Sequence, residues 1–83
     1  MATTPSDVAV TSDWTLVLSG AGSVGTRGIV DALVVCSTTL PTTDAGAMDL
    51  MRLGGVSNSD AGTNVYVRMS DIGDTGIVPV WAV

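Results

Sequence analysis

At 83 residues and a net charge of −5, the chain is long enough for one thin core. It is too acidic to clamp phosphates or anionic lipid, which argues against nucleic acid and membrane as partners. Lysine, histidine, glutamate, glutamine and phenylalanine are all missing, so a serine nucleophile has no base of the usual kind, zinc has one cysteine and no histidine, and much of the bulk a core normally uses is lacking.

Residues 1–7 read as a polar arm containing Pro5, and residues 8–83 as a single β domain. Alone such an arm frays, so docking onto a neighbouring subunit is expected to hold it. The first ten residues lack a basic start followed by a long apolar stretch, and synthesis in the cytosol is the expectation. Val8–Val10 is a short strand. Trp14–Leu18 alternates, with Trp14, Leu16 and Leu18 on one face and Thr15 and Val17 on the other. Gly20, Gly22 and Gly25 then break the chain into a turn-rich stretch.

Ile29–Cys36 is the longest apolar run and the best candidate for a central strand, with Val30, Ala32, Val34 and Cys36 sharing a face. Cys36 is the sole cysteine, so no intrachain disulfide forms, and a buried thiol acting as a small hydrophobe is expected. Ser37–Gly46 is a Thr-rich loop in which Pro41 holds Leu40 extended. Asp44–Leu53 fits two helical turns or a strand about equally; we assign Met48–Leu53 to a strand because its surroundings are β. Gly54–Gly62 is a second loop. Asn64–Met69 alternates cleanly, with Val65, Val67 and Met69 inward and Asn64, Tyr66 and Arg68 outward. Asp71–Gly76 is a turn, and Ile77–Val83 is the last strand. Pro79 cannot donate to a ladder, which places this strand at an edge or turns that amide outward.

The sum is an all-β fold, a small antiparallel β-sandwich or barrel of five to seven short strands with an extended N-terminal arm. Several strands are apolar on both faces. One copy has more oily strand surface than it can shelter, so a homo-oligomer or a larger partner is expected to cover the rest.

The chemistry-bearing patterns are weak. Gly20, Gly22 and Gly25 fit G-x-G-x-x-G, but a β-branched run follows where a dinucleotide fingerprint needs a helix, so a glycine-rich turn or bulge is expected and no cofactor. Asp60, Asp71 and Asp74 offer oxygen ligands without the alternating run of a calcium loop, and turn-forming aspartates are the better account. No base stands ready for a serine nucleophile, and the aspartates are scattered in loops, so neither catalytic nor metal residues are assigned. The candidates that remain are for an interface: Trp14, Asp49, Arg52, Tyr66, Arg68 and Trp81. Trp14 and Trp81 fit either core volume or an aromatic plug at a subunit contact. Asp31 or Asp49 is expected to pair with Arg52 or Arg68, because all four interrupt apolar runs.

The order of features then resembles a family. A Trp-led strand runs into Gly20-Ala21-Gly22-Ser23-Val24, a central strand ends before Leu40-Pro41-Thr42, and an apolar strand stops at Gly54-Gly55 before Gly62-Thr63-Asn64-Val65-Tyr66-Val67-Arg68. This looks like the small β-sandwich virion proteins of tailed bacteriophages, found as capsid decoration proteins and fibre modules. The likeness spans roughly residues 14 to 80, and residues 62–68 lie near the Asn-Val-Trp/Tyr-Ala-Arg common in such proteins. It implies a structural, non-enzymatic role at the virion surface, self-association (often as trimers) and attachment to the major capsid protein or to a tail or fibre protein. Two alternatives stay open, a tail or fibre subunit and a small carbohydrate-binding module.

Overall fold

The computed structural model describes residues 6–27 and 31–82. Eight antiparallel strands lie in two four-stranded sheets packed as a sandwich, in the order β1-β8-β3-β6 for sheet I and β2-β7-β4-β5 for sheet II. The strands are β1 (Ser6–Val10), β2 (Thr15–Ser19), β3 (Gly22–Val24), β4 (Ala32–Ser37), β5 (Met48–Asp49), β6 (Val56–Asn58), β7 (Asn64–Met69) and β8 (Gly76–Ala82), with a helical turn α1 (Leu50–Leu53) after β5. Every connection but the one from β4 to β5 carries the chain from one sheet to the other. The helical turn is far too short to cross a membrane.

The core is mostly valine. Val10, Val24, Val78 and Val80 line the inner face of sheet I, and Val34, Val65, Val67 and Met69 line that of sheet II. Period-2 alternation accounts for this: in β8, Val78 and Val80 point in while Ile77, Pro79 and Trp81 point out. With no phenylalanine, the large side chain that plugs the core is Leu50, which is 0% exposed.

The structure departs from the sequence reading in five places. Ser6 and Asp7, expected in the arm, pair with Val80 and Pro79 in β1; residues 1–5 lie outside the described residues, as do Ile29 and Val30 of the predicted central strand and Val83 of the last one. In β2 a bulge sets Leu16 opposite Tyr66 and Leu18 opposite Val65, so Val17 and Leu18 both turn inward and Leu16 alone stays outside. Gly22–Val24 and Val56–Asn58, expected as turn and loop, pair with each other and raise the strand count above seven.

Met48–Leu53 is a strand only at Met48 and Asp49. The Asp49 carboxylate then accepts from the Met51 and Arg52 amides, and Gly54, at φ 74°, closes the turn by donating to the Leu50 and Met51 carbonyls. Finally, β8 is an interior strand in spite of Pro79. The Pro79 carbonyl accepts from the Gly25 amide at 2.9 Å, so its missing N–H falls on the β3 side, one residue past the end of that strand. The ladder is already ending there, and little is lost.

Candidate interaction surface

The outer face of sheet II gathers most of the residues singled out from sequence. The pairing register lays them in two rows across the strands. Leu16, Tyr66 and Val35 form one row, and Arg68, Leu33 and Asp49 form the other, extended on the β2 side by Trp14. The Arg68 guanidinium lies 5.9 Å from the centre of the Trp14 ring, within cation–π range.

Arg68 is the hub of this face. Nε and Nη2 donate to Oδ1 and Oδ2 of Asp44 at 2.9 and 2.7 Å, and Nη1 donates to the carbonyls of Met69 at 2.9 Å and Ser12 at 3.3 Å. The planar fork thus binds a carboxylate at two points while its remaining nitrogen fastens to backbone. The hydrogen bonds from Arg68 hold the Asp44 carboxyl below its ordinary value of 3.8, and the same bonds raise Arg68 above its own. This corrects the expected pairing. Arg68 selects Asp44, a loop residue, rather than Asp31 or Asp49. The Asp49 carboxylate is engaged as the cap of α1 instead, and Arg52 makes no ion pair among the described residues.

Tyr66 points outward as read but is only 6% exposed, because Leu16 and Val35 flank it in its row. The Asn64 amide lies 3.5 Å from its hydroxyl, a long contact at best. With Tyr66 covered and Trp14 facing Arg68, this face offers little open ring surface for stacking a sugar. What it presents is apolar area, with Leu16 still 48% exposed, rimmed by an ion pair. That composition suits contact with protein.

Trp81 stands apart from the other candidates, on the outer face of sheet I and 37% exposed. It forms a second apolar row with Ile77 and Pro79. Gly25 makes its floor: a Cβ there would lie 2.9 Å from Pro79 Cγ and 3.1 Å from Trp81 Cζ3. Gly22, at φ 153°, has no room for a Cβ against the Trp81 carbonyl. Two glycines of the G-x-G-x-x-G pattern therefore serve the close approach of β3 to β8 and the seating of Trp81.

The aspartates weighed as calcium ligands do not meet. Asp60 precedes β7 and Asp71 and Asp74 follow it, so a strand about 20 Å long separates them. Asp60 spends its carboxylate on the Gly62 amide and the Thr63 hydroxyl, both at 2.8 Å, and these bonds lower its pKa.

Sequence reasoning missed one region. Cys36 points inward by parity yet is exposed, because the sandwich is open along the flank between β5 and β6. Its apolar neighbours still push the thiol above its ordinary 9.0 through partial burial. A cleft of about 260 Å³ opens there, with Val34 and Cys36 on one side and Met48, Leu53 and Val56 on the other. A second hollow of about 490 Å³ adjoins it and shares Met48 and Leu53, with Asp49 and Arg52 on its rim. The available signal was the apolar excess of Met48, Met51 and Leu53 around a single inward position, Leu50. Ile72, at the tip of the β7–β8 turn, is 95% exposed. The chain matches no family model, no curated protein and no solved structure.

Proposed function

We propose that this chain is a structural protein of a bacteriophage virion, a head decoration subunit that self-associates and binds the major capsid protein at the particle surface. On this reading it is made in the host cytoplasm and performs no catalysis. One observation carries the reading beyond the sequence resemblance. Both sheets of an 83-residue sandwich bear apolar rows on their outer faces, Leu16–Tyr66–Val35 on one and Ile77–Pro79–Trp81 on the other. A protein wedged between a shell and its own neighbours has a use for two sticky faces. A free monomer has none for the side chains these rows leave exposed, Leu16 on one and Ile77 and Trp81 on the other, and exposed apolar patches on a soluble protein mark contact sites.

The two faces differ in a way that fits two partners. The sheet II face carries the Arg68–Asp44 pair and supplies directional polar contacts. The sheet I face is plainer, with the Ser23 and Ser57 hydroxyls 3.3 Å apart beside Trp81.

Cosedimentation with empty phage heads and, side by side, with phage tail tubes tests the proposal. Saturable pelleting with heads, lost in Leu16→Asp or Trp81→Ser, is the expected result. Pelleting with tail tubes alone would move the subunit to the tail. Pelleting with neither, by a chain that stays monomeric, would overturn the reading.

A further inference from the structure

We infer that the open flank between β5 and β6 is a two-fold interface, and that its occupant is the same flank of a second copy of this chain. The inference rests on the reading of the chain as a self-associating subunit and goes beyond it by assigning the surface and the symmetry.

The four sheet edges are not protected alike. Natural sheets blunt their edges with charges, bulges or shortness, because an unpaired edge invites another strand. On one flank, β1 carries Asp7 and β2 is broken by its bulge. On the other, β6 (Val56-Ser57-Asn58) has no charge, no proline and no bulge, and pairs only with β3. The neighbouring edge of sheet II is cut short. β5 covers Leu33 and Val34 of β4 and leaves Val35, Cys36 and Ser37 without a strand on that side. Backbone edges without guards and the apolar cleft therefore coincide on one flank.

Charge identifies the occupant. The chain carries −5 overall, so two copies repel at most orientations. The flank's own charges are Asp49 and Arg52, one of each sign, on the rim of the apolar hollow. A surface shaped for a basic or acidic partner would carry a single sign. A two-fold axis instead sets Arg52 of one copy against Asp49 of the other, twice over, around the apolar pair Met48 and Leu53. One Asp49 carboxylate oxygen caps α1, at 3.1 Å from the Met51 amide, which leaves the other to accept from an arginine. The geometry points to a dimer, not the trimer that the resemblance implies.

Sedimentation and light scattering across a concentration series test this, together with crosslinking at Cys36, the one thiol of the chain, by a short bismaleimide. The wild type is expected at twice the 8.3 kDa chain mass and to crosslink through Cys36. Leu53→Asp and, separately, Arg52→Asp are expected to weaken the dimer on the order of 30-fold or more and to abolish the crosslink, with the melting temperature preserved. Leu53 and Arg52 are both exposed, so at least one variant should fold. An oligomer that persists unchanged in the folded variants, without a crosslink, would overturn this surface while leaving self-association intact. A wild-type chain that stays monomeric to millimolar concentration would overturn self-association itself.

Discussion

Arg68 and Asp44, 24 residues apart in the chain, meet in a two-point contact at 2.9 and 2.7 Å on the outer face of sheet II. The contact anchors the long Thr-rich loop to the central strand β7. Trp14 lies under the same guanidinium, so three segments distant in sequence converge on one side chain. The arginine is mostly shielded and the aspartate half exposed, which makes the contact a fastening for a loop more than a source of bulk stability.

Acid should loosen this fastening. Asp44 is held below 3.8 chiefly by the hydrogen bonds from Arg68, and Asp60 is held below it chiefly by the Gly62 amide. A carboxyl whose folded pKa is depressed binds protons more readily in the unfolded chain, so its stabilisation is present above the unfolded value and fades as pH falls through the folded one. The melting temperature should therefore decline on acidification from about pH 4 downward. Asp44→Asn should flatten that decline, and Asp44→Asn with Asp60→Asn should flatten it further. Equal slopes for the wild type and the double variant, measured by circular dichroism melts at several pH values, would contradict the assignment.

Leu50 is the largest fully buried side chain, brought into the core by a single helical turn whose other residues face solvent. Leu50→Ala should destabilise the domain by about 2–5 kcal/mol through lost transfer energy and the cavity left behind. On a domain of this size that lowers the melting temperature by roughly 10 °C or more. Met51→Ala, one position along and exposed, should change stability by less than about 0.5 kcal/mol. Chemical denaturation of both variants checks the contrast, and comparable losses would mean that Leu50 is not the plug.

What the sequence disclosed depended on whether the determining contacts were local. Asn64–Met69 was legible residue for residue, because alternation alone defines a half-buried strand. The cap residues of α1, Asp49 and Gly54, were also present to be read, but a uniform β expectation overrode them. The bulge at Leu16–Leu18 was not legible, since alternation through Trp14, Leu16 and Leu18 is what an unbroken strand would show. β3 and β6 are built largely of glycine, serine and asparagine, poor strand formers that take the conformation from their neighbours. The same holds for the surface. Trp14, Tyr66 and Arg68 were identified singly, whereas the Asp44 partnership and the open β5–β6 flank arise only when distant segments pack.

Gly22 should resist any side chain. Its φ of 153° suits glycine, and the Trp81 carbonyl and Leu18 Cδ1 occupy the space a Cβ would need. Gly22→Ala must either strain the backbone or push β3 away from β8, at a cost of order 1–3 kcal/mol. Gly46→Ala is the informative control: it too has positive φ, at 77°, but nothing lies within 4 Å of its Cβ position, so it carries backbone strain without a clash. Trp81 fluorescence should shift in the first variant, because the β3–β8 contact seats that ring, and not in the second. A shift common to both would assign the effect to general destabilisation.

Asn58 ends β6 and ties together two corners of the sandwich. Its amide nitrogen donates to the carbonyls of Gly20 and Thr63, each at 2.8 Å, and lies 3.1 Å from that of Asp60, while its Oδ1 accepts from the Asp60 amide at 3.2 Å. Gly20 sits at the turn from β2 to β3 and Thr63 at the entry to β7, and their own backbones are linked at 3.2 Å. Removing the side chain takes the donor from the part-buried Gly20 carbonyl and leaves the part-buried Thr63 carbonyl with the Gly20 amide alone, so Asn58→Ala should cost about 1–3 kcal/mol. Asn58→Asp is the sharper test. It is isosteric but replaces the donating nitrogen with an acceptor and sets a negative charge against those carbonyls, so it should destabilise at least as much at pH 7. It should recover on acidification as the carboxyl protonates and regains a donor. Because the wild type loses stability over the same range, the difference between the two melting curves is the quantity to follow. A gap that stays constant from pH 7 to pH 3 would show that donation by this amide is not what holds the corner.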